Sequence, residues 1–249
     1  MTPALAPVFA KPVAHRGLHD TSKGVIENTR SAFAAALARG FGMECDIQPS
    51  ADGEAMVFHD HRLDQLTTGN GLIDGMSAAS LAALPFAQTA DRMQTLAELL
   101  GQVSGQQALV VEVKSRFDGN TAISARIAAV VRDYAGPLVL KSFDPAMLIA
   151  LRAAGVRQPL GIVAMAAFDD ADSAHLSTAQ RHALANLLHF NESRPDFLSW
   201  YHRDLPCAAP FLCRSALGLP VMSWTIRSAE EAARAAPHID QIVFEGFDP

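Results

Sequence analysis

Cysteine is scarce in this chain: Cys45, Cys207 and Cys213 are the three among 249 residues. The number is odd and no Cys-x-x-Cys spacing occurs, so neither a disulfide framework nor a structural zinc site is favoured, and a reducing compartment fits best. Long apolar runs are also missing. The stretch from Met1 to Lys11 is rich in proline and alanine without a sustained hydrophobic run, which argues against a secretory signal or membrane insertion and predicts a cytoplasmic protein. Basic residues show no excess, with 20 Lys+Arg against 26 Asp+Glu and a formal charge of −6. The average surface therefore offers no attraction for nucleic acid or an anionic membrane, and an anionic substrate has to be met by a local cationic feature. Internal repeats, low-complexity tracts and linkers are absent.

What the chain does have is alternation. Short runs rich in β-branched residues alternate with longer alanine-rich segments, the pattern of a parallel sheet covered by helices. Strands are predicted near Val13–His15, Met43–Ile47, Leu109–Lys114, Leu138–Ser142, Pro159–Val163, Asp196–Trp200, Val221–Thr225 and Gln241–Phe244. Eight such units in a chain of this length predict one α/β domain over residues 1–249, a (β/α)8 TIM barrel. Helices are predicted over Thr29–Arg39, Leu96–Val103, Thr121–Tyr134, Pro145–Ala154, Thr178–His189, Ala208–Leu217 and Ala229–Ala236. In the first, Thr29 can cap the N-terminus, Phe33, Ala36 and Leu37 form an apolar stripe, and Gly40 can terminate it. No full eighth outer helix is expected after the last strand. The outer face of that strand then needs cover, from the N-terminal segment or from a partner subunit in a homo-oligomer.

Two departures from alternation stand out. Ser50-Ala51-Asp52-Gly53 is a turn signal that returns the chain from the second strand as a hairpin, bringing His59 opposite Glu44 or one residue from it. Residues 61–92 are too long for an ordinary connection and are read as a small insertion over the barrel mouth, with a short helix over Ser77–Leu84 and no core of its own.

Candidate chemistry collects at the strand ends. Strand side chains alternate, so Glu44 and Asp46 share one face while Met43, Cys45 and Ile47 share the other. If the apolar set meets the helices, both carboxylates face the barrel interior, and the same parity places Glu112 and Lys114 inward with Val111 and Val113 outward. Inward carboxylates without partners are costly and call for a cation; oxygen ligands suit Mg2+ or Ca2+ better than zinc. The competing structural reading is an ion network with Arg16 and Lys114, or a plain salt bridge from Arg16 to Glu27 or Glu44. His15 ends the first strand, and His59 approaches the same carboxylates from the hairpin. Two imidazoles can take a proton from an attacking oxygen and give one to a leaving alkoxide, while Arg16 and Lys114 neutralise phosphate oxygens. His61, His175, His182, His189, His202 and His238 are expected at the surface. The combination points to a metal-dependent phosphodiesterase.

At this point the residues resemble the glycerophosphodiester phosphodiesterase family. The matching pieces are His15-Arg16-Gly17, Glu27-Asn28-Thr29, Glu44-Cys45-Asp46, Asp52-Gly53, Val57-Phe58-His59-Asp60 and Leu66-Thr67-Thr68-Gly69. They continue with Glu112-Val113-Lys114, Ser142-Phe143-Asp144 and Ser223-Trp224-Thr225. Each piece alone is weak, but they occur in the family's order through nearly the whole chain. The resemblance implies a (β/α)8 barrel, a metal held by Glu44, Asp46 and Glu112 with Glu27 close by, His15 and His59 as the acid/base pair, and phosphate contacts from Arg16 and Lys114. It also suggests that Trp224 walls the glycerol or alcohol moiety, with weaker cases at Phe143, Trp200 and Tyr201. The implied reaction is hydrolysis of a small-molecule glycerophosphodiester to glycerol 3-phosphate and an alcohol, with attack by water or by the neighbouring glycerol hydroxyl. Where many members carry Thr-Asp after the last strand, this chain has Glu245-Gly246. Two other readings compete: a sphingomyelinase D-like lysophospholipase D acting on lipids, and a non-catalytic phosphodiester-binding barrel. The insertion lacks an apolar stripe or basic cluster for a bilayer, and the full set of histidines, carboxylates and lysine argues against a degenerate site.

Overall fold

The computed structural model describes residues 2–169 and 173–249. Along the chain the elements are β1 (Val13–Ala14), α1 (Arg30–Arg39), β2 (Gly42–Pro49), β3 (Ala55–Val57), α2 (Ala78–Ala83), α3 (Leu96–Val103), β4 (Leu109–Val113), α4 (Ile123–Val131) and β5 (Leu138–Ser142). They continue with α5 (Pro145–Ala153), β6 (Leu160–Ala164), α6 (Thr178–Ala185), α7 (Phe190–Ser193), β7 (Phe197–Tyr201), α8 (Ala208–Leu217), β8 (Val221–Ile226), α9 (Ala229–Ala235) and β9 (Gln241–Phe244). β1 pairs in parallel with both β2 and β9, which closes β1, β2 and β4 to β9 into the expected (β/α)8 barrel. β3 folds back antiparallel on β2, with Ile47 opposite Val57.

The predicted parity holds on the side that meets the helices. Met43, Cys45, Ile47, Val111 and Val113 pack in the main core with Phe33 and Ala36 of α1 and Leu96 and Leu99 of α3. α1 starts where Thr29 Oγ1 accepts from the Ala32 N–H and ends at Gly40 in the left-handed region, both as the sequence indicates. On the opposite parity, Val13, Val110, Val139, Phe197, Met222 and Val243 form a second cluster, and Leu5 and Val8 of the N-terminal segment complete it. Gln241 Nε2 donates to the carbonyls of Val8 and Lys11 and ties that segment down. The N-terminal segment thus packs against the ends of the strands where the chain enters them.

Three expectations are corrected. The outer side of β9 is packed by residues other than the N-terminal segment: Phe244 lies edge-on to Phe41 and Phe247, and Arg39 pairs with Asp248. No helix follows β9 among the described residues. The insertion does have a core, in which Leu63, Ile73, Leu81 and Phe86 pack with Ile26, Met56, Phe58 and Met93. Its apolar residues are spaced too irregularly for a helix or strand period to reveal them, and they converge only in the folded chain. Trp200 and His202 are buried rather than lining the mouth or the surface: Trp200 takes the parity that packs in the main core, and His202 opens a short 3-10 turn directly after β7.

Candidate active site

Two adjacent strand ends and one tight turn build the cluster. Glu44 and Asp46 come from β2, Glu112 from β4; Asp46 is level with Glu112, and Glu112 is level with Lys141 of β5. The carboxylate oxygens of Glu44, Asp46 and Glu112 lie within 4.8 Å of one another, and all three residues are buried. Such a group of charges survives in a protein interior only when it is paired. Lys114 Nζ lies 2.8 Å from Asp46 Oδ1 and 2.5 Å from Glu112 Oε1. Lys141 Nζ lies 3.0 Å from both Glu44 Oε1 and Glu112 Oε2. Burial opposes ionisation of Asp46 and Glu112, but the charges around them outweigh it: Lys114, His59 and Arg16 hold Asp46 well below the usual carboxylate range, and Lys114 and Lys141 lower Glu112. Burial likewise works against the charged forms of Lys114 and Lys141, and the paired carboxylates reverse it, so both are raised.

The His15-Arg16-Gly17 turn follows β1 and carries the backbone across the end of β2. Arg16 (φ 56°) and Gly17 (φ 78°) are both left-handed, and a Cβ on Gly17 would come within 2.8 Å of Ala32, so only glycine fits there. The turn aims the Arg16 N–H at Glu44 Oε2 (3.0 Å), while its guanidinium pairs with Glu27 (2.7 Å) and reaches Asp46 (3.4 Å). The salt bridge expected as the plain reading of Arg16 is therefore present, and Glu27 sits beside Arg16 rather than among the clustered carboxylates. Asn28, also left-handed at φ 57°, donates from Nδ2 to Asp46 Oδ2 (2.9 Å) and accepts from the Asp46 N–H (3.2 Å).

Both predicted histidines have Nδ1 against a carboxylate. His15 Nδ1 lies 2.8 Å from Glu245 Oε2, and His59 Nδ1 lies 2.7 Å from Asp60 Oδ1. A carboxylate only accepts, so each ring carries a proton on Nδ1 and has Nε2 as the nitrogen left for proton exchange. His59 is held further by Gln48 Nε2, which donates to its carbonyl (2.8 Å). The β2–β3 register, continued two residues, places His59 opposite Cys45, one position from Glu44. The hydrogen bond from His15, with its charge and those of Arg227 and His19, lowers Glu245 to about 2 against the opposing effect of burial. The hydrogen bond from His59 lowers Asp60 in the same way.

Four side chains here were not singled out by sequence reasoning: Lys141, Asn28, His19 and Glu245 in its pairing role. His19 Nε2 lies 4.0 Å from Glu245 Oε2, and burial lowers its pKa. A lysine inside the otherwise apolar run Leu138-Val139-Leu140-Lys141 was the available signal for the first. Trp224 is half-buried: its Nε1 donates to the Ser199 carbonyl (3.0 Å), and its ring contacts Phe143 and Tyr201 with centroids at 5.4 and 5.2 Å. Next to Lys114, a cleft of about 330 Å³ is lined by polar groups that include Gln48, His61, Ser115, Arg116 and Asn120.

Among solved structures, the chain resembles a phosphodiesterase from Oleispira antarctica determined in complex with the product sn-glycerol-3-phosphate (TM-score 0.76, 22% identity, 94% of this chain and 92% of that one). It also resembles a glycerophosphoryl diester phosphodiesterase, described as putative, from Silicibacter pomeroyi (TM-score 0.74, 25% identity, 97% and 93%). In sequence it is 31% identical over 130 residues to a glycerophosphodiester phosphodiesterase of Caldanaerobacter subterraneus, 49% of this chain and 52% of that protein; the match spans about half the length of that relative. The model of the "Glycerophosphoryl diester phosphodiesterase family" matches residues 15–239, from the first histidine of the site to just short of β9, and the chain belongs to that family.

Proposed function

We propose that this chain is a single-domain, divalent-metal-dependent phosphodiesterase that hydrolyses glycerophosphodiesters to glycerol 3-phosphate and an alcohol. The observation that carries the reading is the convergence of Glu44, Asp46 and Glu112, with oxygens within 4.8 Å of one another. The donor set fits a hard cation: all three ligands are carboxylates, as Mg2+ or Ca2+ requires, and no thiol or imidazole is among them. Glu44, Asp46 and Glu112 would hold the ion, with Glu27 near it through Arg16. A bound divalent ion would supply positive charge against a phosphate oxygen as charge develops at phosphorus.

The remaining steps belong to the chain's own side chains. Arg16 and Lys114, at the mouth side of the cluster, bind the phosphate oxygens, the first with a planar fork and the second as a point charge. His15 and His59 present Nε2 as the acid/base pair: one removes the proton of the attacking oxygen while the other protonates the leaving alkoxide. Trp224, backed by Phe143 and Tyr201, forms an apolar wall for the carbon skeleton of glycerol. The polar cleft beside Lys114 suits a water-soluble alcohol. That favours a small glycerophosphodiester over a lysolipid, and among the described residues no helix is long and apolar enough to cross a membrane. The three cysteines are free, which agrees with a cytoplasmic location.

The test is a panel of substrates that includes glycerophosphocholine and lysophosphatidylcholine, with released choline as the common readout and glycerol 3-phosphate as the second product expected from the first. Release from the first and not the lysolipid is expected. Cleavage of the lysolipid alone would favour the lipid-directed reading, and tight binding without product would favour the non-catalytic one.

A further inference from the structure

Lys141 is the most deeply buried charge in the barrel outside the carboxylates themselves, with a side chain 2% exposed against 16% for Lys114. It lies outside the run of residues that carries the family resemblance, which resumes at Ser142. Its ammonium is 3.0 Å from one oxygen of Glu44 and 3.0 Å from one oxygen of Glu112, so it bridges two carboxylates much as a second metal ion would in a two-metal site. Lys114 also pairs with the cluster, but it reaches solvent and has a substrate phosphate as an alternative partner. Lys141 pairs with Glu44 and Glu112, and a side chain 2% exposed offers a substrate phosphate no approach.

We propose that Lys141 is a built-in counter-ion that occupies the second cation position of the acidic cluster, restricts it to one divalent ion and weakens the binding of that ion. The position supports this: the Lys141 ammonium sits between Glu44 and Glu112 at 3.0 Å from each, where a second cation would have to bind. Repulsion between the ammonium and a divalent ion a few ångströms away in a poorly screened interior acts against metal binding. The same ammonium keeps Glu44 and Glu112 paired before any metal arrives, which removes much of the cost of holding empty carboxylates together. Lys141 is thus a positioning residue that acts through Glu44 and Glu112. The inference rests on the reading of the triad as a divalent-metal site.

The experiment is calorimetric titration of chelator-stripped protein with Ca2+ and with Mg2+, comparing the wild type with Lys141→Gln and Lys141→Met. The wild type should bind one ion. Both variants should bind Ca2+ at least about tenfold more tightly, Lys141→Met should take up a second ion, and Ca2+ should raise the melting temperature more in the variants than in the wild type. If stripped Lys141→Met does not fold, its recovery on adding Ca2+ supports the assignment and failure to recover overturns it. Stoichiometry and affinity within about twofold of wild type in a folded Lys141→Gln would also overturn it while leaving the metal site intact. A wild type that binds neither ion would sink the metal reading itself.

Discussion

His15 and His59 reach the site by different routes, one at the end of a parallel strand and one on a returning hairpin, yet each has Nδ1 against a carboxylate. Replacing His59 by alanine should lower kcat by roughly 10² to 10⁴-fold while Ca2+ affinity measured by calorimetry stays within about twofold of wild type; full turnover in that variant would refute its role. Glu245 gives a pH signature. Its carboxyl lies at about 2 in the folded chain against 4.5 ordinarily. Its ionised form therefore contributes stability that is fully present above pH 4.5 and is lost as pH falls toward 2. Glu245→Gln should be less stable than wild type above that window and converge with it at the acid end, as followed by thermal melts across the pH range. Strand parity and two short motifs located the histidines and carboxylates in the sequence. Lys141 was not legible because parity says which face a residue takes, whereas the partner across the barrel depends on the register between strands that are far apart in sequence.

At the level of elements, the β1–α1 turn does the most to place the site. Gly17 sits at φ 78° with no room for a Cβ, and the turn it permits directs the Arg16 N–H at Glu44. Gly17→Ala should cost about 1–3 kcal/mol in denaturant unfolding and, by moving Arg16, raise KM for the phosphodiester; an unchanged KM would separate the turn from substrate binding. All eight barrel strands were legible, since each is a short, largely apolar run buried on both faces between longer segments, and the cap at Thr29 and stop at Gly40 followed from local chemistry. The core of the insertion was not, because Leu63, Ile73, Leu81 and Phe86 converge only when irregular backbone folds over β3. α7 was hidden for a related reason: its four residues are too few to show a helical period.

On the scale of the whole molecule, the barrel has two ends with different tasks. At one, Leu5 and Val8 pack among Val110, Phe197 and Val243; at the other, charged side chains gather around Glu44, Asp46 and Glu112. Leu5 is 2% exposed, so Leu5→Ala should cost roughly 2–5 kcal/mol in denaturant unfolding, with the acidic cluster and its ion pairs unaffected. That arrangement was only half-visible in the sequence: the missing eighth helix offered the N-terminal segment as cover for the outer face of the last strand, whereas its Leu5 and Val8 pack with the inward-facing cluster instead. The account as a whole depends on acidic groups from β2 and β4 holding a divalent ion between two imidazoles. The most direct measurement is glycerol 3-phosphate release from glycerophosphocholine after exhaustive chelation, followed by titration of Mg2+ or Ca2+ back into the protein. The account predicts that turnover disappears on chelation and returns saturably with the added ion in the wild type but not in Asp46→Ala; turnover that is indifferent to the chelator would contradict it.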